Sequence, residues 1–354
     1  MSSKGFWEKL KRPFFVLAPM ADVTDTAFRQ MVLLCGNPQT KRVEQRPNES
    51  EEVLKHSSAY VASYDGKPDV LYTEFVSCDG LCSEKGRPKL LPLLKFKENE
   101  RPIVAQFFGA NPKNFYKCAQ LAAKLGFDGI DINMGCPAGK IVKQEAGSGL
   151  ILTPNLAREI IRETKRGSGG LPVSVKTRIG YNKITTEEWI SELIKEEPDA
   201  IIIHGRTMKE MSKVPAHWDE IGKAGVLCRK AGILIIGNGD VVSYEDGVTK
   251  AKQYNLDGIM IGRGIFSNPW FFNTKIDPLT KTSAERIELL KKHIKLFTEL
   301  WGNPPSARIG GGGKNFDTMK KFFKVYISGF DGAKELRTKL MFTKTAEDVF
   351  LMLK

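Results

Sequence analysis

The sequence predicts an α/β protein: a TIM (β/α)8 barrel followed by a C-terminal helical domain. Three observations carry that expectation. Eight short apolar runs recur between residues 14 and 264, each ends in a polar or glycine-bearing turn, and segments of helical pattern lie between them. Several runs are near-continuous Val, Ile and Leu rather than alternating, as in parallel strands buried on both faces. Strand–helix alternation repeated about eight times points to the barrel. A doubly wound sheet is the alternative, with fewer units as a rule.

In order, the strand runs are "FFVLAP" (14–19), "LYTEFV" (71–76), "IVAQFFG" (103–109) and "GIDIN" (129–133). They continue with "VSVKTR" (173–178), "AIIIHG" (200–205), "ILIIGNG" (233–239) and "GIMIGRG" (258–264). Two helices are signposted at both ends. Asn111-Pro112 and Thr153-Pro154 each place a cap residue before proline at the first helical position, and Gly126 and Gly167 close them. Residues 37–68 are polar and too long for an ordinary connection, which predicts an insertion before the second strand. Residues 303–315, "NPPSARIGGGGKN", read as a flexible linker. They are not a nucleotide-binding loop, because Arg308 replaces the first glycine and Asn315 the Ser or Thr that motif needs. The expected division is a catalytic barrel over 1–275 and a basic helical domain over 276–354.

At 354 residues, with 41% hydrophobic and 27% charged side chains, the chain suits a soluble protein with a large core. No apolar run approaches the roughly 18–20 residues of a membrane span, and "FWEKLKRPFFVLAP" makes a poor secretory signal. Six scattered cysteines favour reduced thiols and a cytoplasmic location. Cys78 and Cys82 are the only close pair; without a second pair they read as packing residues, and no metal site is expected. The net charge is +13, and residues 275–354 hold 16 Lys or Arg against 9 Asp or Glu. Such a patch attracts polyanions, nucleic acid above all, and the same pattern fits a solvated helical face.

A barrel of this class builds its site at the C-terminal strand ends. Those ends supply Pro19, Met20 and Ala21, then Glu74, Gln106 and Asn133, then Lys176 and Arg178, His204, Asn238-Gly239-Asp240 and Gly262-Arg263. The "GNGD" and "GRG" turns follow the seventh and eighth strands, where barrels hold phosphate on backbone N–H groups. Gln106, Lys176 and His204 suit a ring with imide-like edges, such as an isoalloxazine whose anionic reduced form a lysine stabilises. Taken singly, Lys176 also fits a salt bridge with a barrel carboxylate, and His204 a satisfied core histidine. Cys136 stands at the end of the fourth strand between Gly135 and Pro137. A buried, inert thiol is the commoner fate of a free cysteine, but the rigid turn at a strand end favours a catalytic one.

These motifs together resemble the tRNA-dihydrouridine synthase family. The matching stretches are "LAPMADVTDTAFR" (17–29), "AQFFGANP" (105–112), "DINMGCPAGKIVKQEAGSGL" (131–150), "VKTRIG" (175–180), "HGRT" (204–207), "GNGD" (237–240) and "DGIMIGRG" (257–264). "MKKFFKVYISGFDGAKELR" (319–337) is similar to the family's basic helical module. The resemblance implies reduction of the C5=C6 bond of a tRNA uridine, with hydride from reduced FMN to C6, a proton from Cys136 to C5, and NADPH or NADH as reductant. It implies that Pro19, Met20, Ala21, Gln106, Lys176, His204, Asn238, Gly239, Asp240, Gly262 and Arg263 bind FMN. Asn133 and Arg178 would face the target uracil, and the module would bring tRNA contacts from Lys320, Lys321, Lys324, Tyr326 and Arg337.

An unperturbed thiol, with a pKa near ~8.5, is mostly protonated at neutral pH and can serve as the acid. Lys140 is placed to lower that value. Phe322, Phe323 and Tyr326 read as packing core rather than base platforms, because their spacing suits one buried face, with Tyr326 alone also kept as an RNA contact. The stretch 208–222 departs from the family pattern: Met208, Ser212 and His217 replace an expected Arg, an aromatic and an acid, with Met211 or Trp218 as candidate substitutes. A monomer is expected. Three alternatives stay open: a barrel flavoenzyme acting on a free pyrimidine, of the dihydroorotate dehydrogenase type; a Schiff-base aldolase using Lys176; and an RNA-binding barrel without chemistry.

Overall fold

The computed structural model describes residues 4–36, 66–302 and 314–354. The expected insertion therefore lies outside the described residues except for 66–68, and the expected linker except for Lys314 and Asn315. Every expected run contributes strand. The strands are β1 (Phe14–Leu17), β2 (Leu71–Tyr72), β3 (Val76–Ser77), β4 (Ile103–Phe108), β5 (Gly129–Met134), β6 (Val173–Arg178), β7 (Ala200–His204), β8 (Leu234–Asn238) and β9 (Gly258–Ile261). All pair in parallel in the order β1-β9-β8-β7-β6-β5-β4-β2, with β3 also on β4. A bridge between Val16 and Val70 joins the two ends of this order, so the sheet closes into an eight-stranded barrel.

The second barrel strand is split into β2 and β3, which its sequence does not announce. Thr73 is the cause. Its hydroxyl accepts the Gln106 N–H at 3.1 Å and donates to Glu74 O at 2.8 Å, replacing a main-chain acceptor with a side chain. The backbone bends there and leaves Glu74 at the mouth.

Period-two alternation sorts the strands into two cores. Outward residues such as Ile132, Val175, Ile201, Ile203 and Ile235 pack under the helices. Inward residues Val16, Tyr72, Val104, Ile202, Ile236 and Met260 fill the lower lumen. That lumen is closed from below by a feature with no sequence signal, the short 3-10 segment Gly5–Lys9. Phe6 and Trp7 are buried on it; the Trp7 ring lies 5.5 Å from Phe14, and Lys4 reaches the Gly232 carbonyl just before β8.

The C-terminal region packs directly on the barrel. Helix Ser283–Trp301 starts in a Thr282/Glu285 capping box and lies against Thr26–Gly36, the helix that follows β1. Phe28 stacks on Phe322 at 5.2 Å, and Phe322 meets the His293 edge at 4.6 Å. Truncating a ring buried this way typically costs about 3–5 kcal/mol. Phe322 and Phe323 are therefore core, as their spacing predicts. Among the described residues no helix is long and apolar enough to cross a membrane, and no cluster of His, Cys, Asp and Glu could hold a metal. All six cysteines are free.

Candidate active site

Above the apolar lumen, the inward positions of the same strands turn polar. Register sets Asn133 beside Lys176, Arg178 beside His204, and His204 beside Asn238. A cavity of about 760 Å³ opens over them. Of the expected residues, Pro19, Met20, Lys176, Arg178, His204, Asn238, Gly239, Asp240, Gly262 and Arg263 line it, and Pro137 brings the Cys136 loop to its edge. Gln106 and Asn133 lie buried outside the lining, and Ala21 is exposed at the rim.

The floor is built to meet a ligand. Lys176 Nζ donates to Asn238 Oδ1 at 3.3 Å, and Asn238 Nδ2 donates to the Met260 carbonyl at 2.8 Å, which fixes the amide's orientation. Burial and the neighbouring Arg178 lower the Lys176 pKa to about 8. His204 is held well below its ordinary value by burial, then by Arg178, Lys176, Arg206 and Arg263, so its ring is neutral. Among the described residues its Nδ1 is buried without a partner, as is Nη1 of Arg206. Each such atom left unpaired costs about 1–3 kcal/mol. His204 is thus not the satisfied core histidine its sequence alone allows.

Positive charge dominates this cavity. Arg206 was not singled out by the sequence because nothing but position separates it from a surface arginine, yet it is only 3% exposed. It donates through Nε to the Val214 carbonyl at 2.5 Å and through Nη2 to Asp240. Asp240 also accepts the Ala216 N–H at 2.9 Å; burial opposes its charge, but Arg206 and this N–H hold its pKa below the usual value. Its carboxylate is therefore paired through Oδ2 with Arg206 and the Ala216 N–H while still lining the cavity. Gly239 beside it has φ of 131°, and a Cβ there would lie 2.8 Å from Ala216 Cβ, so the turn requires glycine.

The Cys136 loop is held from three sides. Asn133 Oδ1 accepts the N–H groups of Gly135 (3.1 Å) and Cys136 (2.9 Å). Arg178 Nε donates to Gly135 O at 2.7 Å, and Ser148 donates through both N–H and Oγ to Cys136 O at 3.0 Å. At Gly147, with φ of 59°, a Cβ would lie 2.8 Å from that same Cys136 carbonyl. Burial raises the thiol pKa, and the Ala138 N–H, Arg178 and Lys176 partly oppose it. Lys140 is exposed and is not among the charges acting on the thiol; Arg178 and Lys176 take the place expected for it. The thiol is therefore protonated at neutral pH.

The substrate side is mixed. Arg178 also donates to the carbonyls of Thr207 (3.1 Å) and Met211 (3.3 Å), tying the atypical loop to the mouth. Met211 and Ser212 line the cavity, Met211 being 45% exposed, whereas His217 pairs with Glu210 at 2.9 Å. Trp218 is core: its Nε1 donates to Gly239 O at 3.1 Å. Lys321 reaches the Asp22 carbonyl at 3.1 Å, which sets helix Lys320–Tyr326 beside the mouth, with Lys324 exposed and Lys320 paired to Asp317 at 2.7 Å. Tyr326 is 2% exposed with its hydroxyl bonded to His293 Nδ1 at 3.1 Å, as the spacing of the core aromatics predicts and against the RNA contact also expected of it. Its neighbours on the helix carry the charge; its own position falls on the buried stripe. Arg337, half-buried, donates to the Ile327 carbonyl at 2.5 Å.

Comparison with known proteins places this geometry in a family. A family model described as dihydrouridine synthase (Dus) matches residues 16–351. The chain is 40% identical over 354 residues to the probable tRNA-dihydrouridine synthase 2 of Bacillus subtilis (strain 168), covering 99% of this chain and 96% of the relative. It is 38% identical over 353 residues to a probable tRNA-dihydrouridine synthase of Staphylococcus aureus (strain COL), covering 99% and 95%. Among solved structures, a histamine dehydrogenase from Rhizobium sp. 4-9 superposes with a TM-score of 0.51 at 13% identity, covering 80% of this chain and 48% of that one, a likeness of fold alone. From the Cys136 turn to the "GRG" strand end, the motifs lie inside the matched span, and the chain belongs to the dihydrouridine synthase family.

Proposed function

We propose that the protein is a tRNA-dihydrouridine synthase that reduces the C5=C6 bond of uridines in tRNA, using FMN with NADPH as reductant. One observation carries the reading most. A protonated thiol, Cys136, stands at the edge of a cavity whose floor offers Lys176, a neutral His204 with an unpaired Nδ1, and an excess of arginine. The unpaired polar atoms and the positive field fit an anionic ring-and-phosphate ligand.

FMN, when bound, supplies a two-electron hydride donor. Lys176 and His204 would meet the edge of its ring, and the Gly239 and Gly262 turns with Arg263 its phosphate. Arg206 and Asp240 hold the loop that frames them. Lys176 stabilises negative charge on the ring, most strongly while the lysine is charged.

Hydride addition at C6 of uracil leaves enolate-like charge toward C5. A proton donor must quench it, and Cys136 Sγ is the donor, returning to its thiol through solvent. A stacked uridine cannot reach this mouth, so it is turned out of the tRNA at a cost of a few kcal/mol. Lys321 and Lys324 beside the mouth offset that cost through phosphate contacts. The barrel to residue 275 would then hold the chemistry and residues 276–354 the RNA.

The test is nucleoside mapping of tRNA from cells with and without the protein. Loss of dihydrouridine at defined positions supports the reading, and an unchanged content overturns it. A free-pyrimidine oxidoreductase is separated by assaying the full-length protein on tRNA and on free uracil side by side.

A further inference from the structure

Strand β5 carries an acid to which the chemistry above gives no part. Asp131 points into the lumen below the cavity, is 0% exposed, and stands between Gln106 and Ser174. Its Oδ2 accepts from Gln106 Nε2 at 2.6 Å and its Oδ1 from Ser174 Oγ at 2.5 Å. Tyr72 OH lies 3.4 Å from the same Ser174 oxygen.

A carboxylate can only accept, whereas an amide side chain is a donor on one side and an acceptor on the other. Asp131 therefore forces the Gln106 amide to turn its NH2 downward. The Gln106 carbonyl must then face upward, where it accepts from Asn133 Nδ2 at 3.0 Å. That in turn aims the Asn133 carbonyl at the Gly135 and Cys136 N–H groups. Reversing Gln106 would set its oxygen against the Asp131 carboxylate and its NH2 against that of Asn133, and reversing Asn133 would set oxygen against oxygen at Gln106 and NH2 against the two backbone N–H groups. The relay runs from one buried carboxylate to the backbone of the thiol residue, and its side chains, Asp131, Gln106 and Asn133, are all buried.

We propose that Asp131 is a positioning residue for Cys136: as the acceptor at the base of an amide relay it sets the polarity of Gln106 and Asn133, and so holds the backbone that presents the thiol. The proposal rests on the reading of Cys136 as the acid, but its geometric content does not. Keeping a charge in this lumen is costly; burial raises the Asp131 pKa to about 6 against the help of Ser174, Gln106 and Lys176. A hydrogen-bonded apolar-compatible residue would be cheaper if the site needed only filling.

The polarity argument makes a reversal test possible. In Asn133→Asp, an acceptor meets the Gln106 carbonyl, and flipping Gln106 only moves the clash down to Asp131. In the double variant Asp131→Asn/Asn133→Asp, Gln106 can flip and every group is paired again, with the direction of the relay reversed. The readout is the rate at which Cys136 is alkylated by iodoacetamide, resolved by peptide mass spectrometry so that the exposed Cys82 does not interfere. Asn133→Asp should change that rate by about tenfold, and the double variant should return it to within about threefold of wild type; a tenfold change corresponds to ~1.4 kcal/mol.

Asp131→Asn alone keeps an acceptor for Gln106 and should leave the rate near wild type, whereas Asp131→Ala should not. In tRNA assays Asp131→Ala should lower kcat with KM for tRNA unchanged. If Asn133→Asp fails to fold, recovery of a folded protein in the double variant is the same rescue. Unaltered alkylation in both Asn133→Asp and Asp131→Ala, or no rescue by the second substitution, overturns the proposal. Normal alkylation behaviour in a protein that makes no dihydrouridine would instead count against the enzymatic reading alone.

Discussion

Lys314 Nζ lies 2.7 Å from Glu74 Oε2 and 3.1 Å from Asp25 Oδ2, so a cation from the C-terminal region is buried between two carboxylates of the barrel mouth. Trp301 Nε1 donates to the same Asp25 oxygen at 2.9 Å, and the ammonium lies 5.3 Å from the Trp301 ring centroid. Burial opposes all three charges. The ammonium nevertheless keeps a raised pKa through Asp25 and Glu74, while Asp25 is lowered mainly by Lys314.

Removing the cation leaves two acids buried together. Lys314→Met should lower the free energy of unfolding by about 3–5 kcal/mol, the usual cost of breaking a buried pair. Urea unfolding checks this, and adding Glu74→Gln should recover part of the loss. Equal midpoints for wild type and Lys314→Met would show that the contact is not formed.

Asp131 gives a pH signature with a defined sign. Its folded pKa of about 6 lies above the unfolded value of 3.8, so the folded state favours the protonated acid. Its contribution is most favourable below pH 3.8 and is lost as pH rises to about 6. Asp131→Asn removes that penalty and should be more stable than wild type at pH 7, by an amount on the order of 3 kcal/mol, with no gain at pH 3.5. Thermal unfolding at the two pH values separates the outcomes.

Lys176 titrates near pH 8 in the free protein. It is charged below that value and neutral above it, so under the proposed function its stabilisation of an anionic reduced ring should fade as pH rises through about 8. The rate of flavin reduction measured by stopped-flow should follow that profile, and Lys176→Gln should be slow and flat across it.

Cys136→Ala should retain flavin colour and tRNA binding but form dihydrouridine at least about a hundredfold more slowly, the usual contribution of a positioned acid. Single-turnover assays with prereduced protein isolate this step.

The two kinds of residue on helix Lys320–Tyr326 should separate cleanly. Replacing exposed Lys321 and Lys324 by Glu should weaken tRNA binding and reduce its salt dependence, a drop of about 1–2 in the slope of log K against log salt. Tyr326→Phe should leave tRNA affinity unchanged and cost about 1 kcal/mol of stability through the lost bond to His293.

What the sequence made legible follows from periodicity. Runs such as 200–205 and 233–239 are greasy on both faces because helices cover one side and the lumen the other, and strands form there. The polar residues closing those runs gather at one mouth because parallel strands share an end. Contacts between strands are harder to read. The split at Thr73 depends on a hydroxyl replacing a carbonyl, Asp240 is paired at the cavity wall because Arg206 comes from another strand end, and the Asp131 relay exists only through the register of β4, β5 and β6. Trp7 escapes notice because so short a helical segment carries no period.

That tryptophan has a consequence for traffic. With the lower end of the cylinder stoppered by Phe6 and Trp7, the ledge around Lys176 opens, among the described residues, through the doorway that Met211 and Arg263 border. A folded RNA and a dinucleotide cannot stand in it together, so under the proposed function they queue. Initial-rate plots with both varied should then give parallel lines, each visitor leaving before the next arrives.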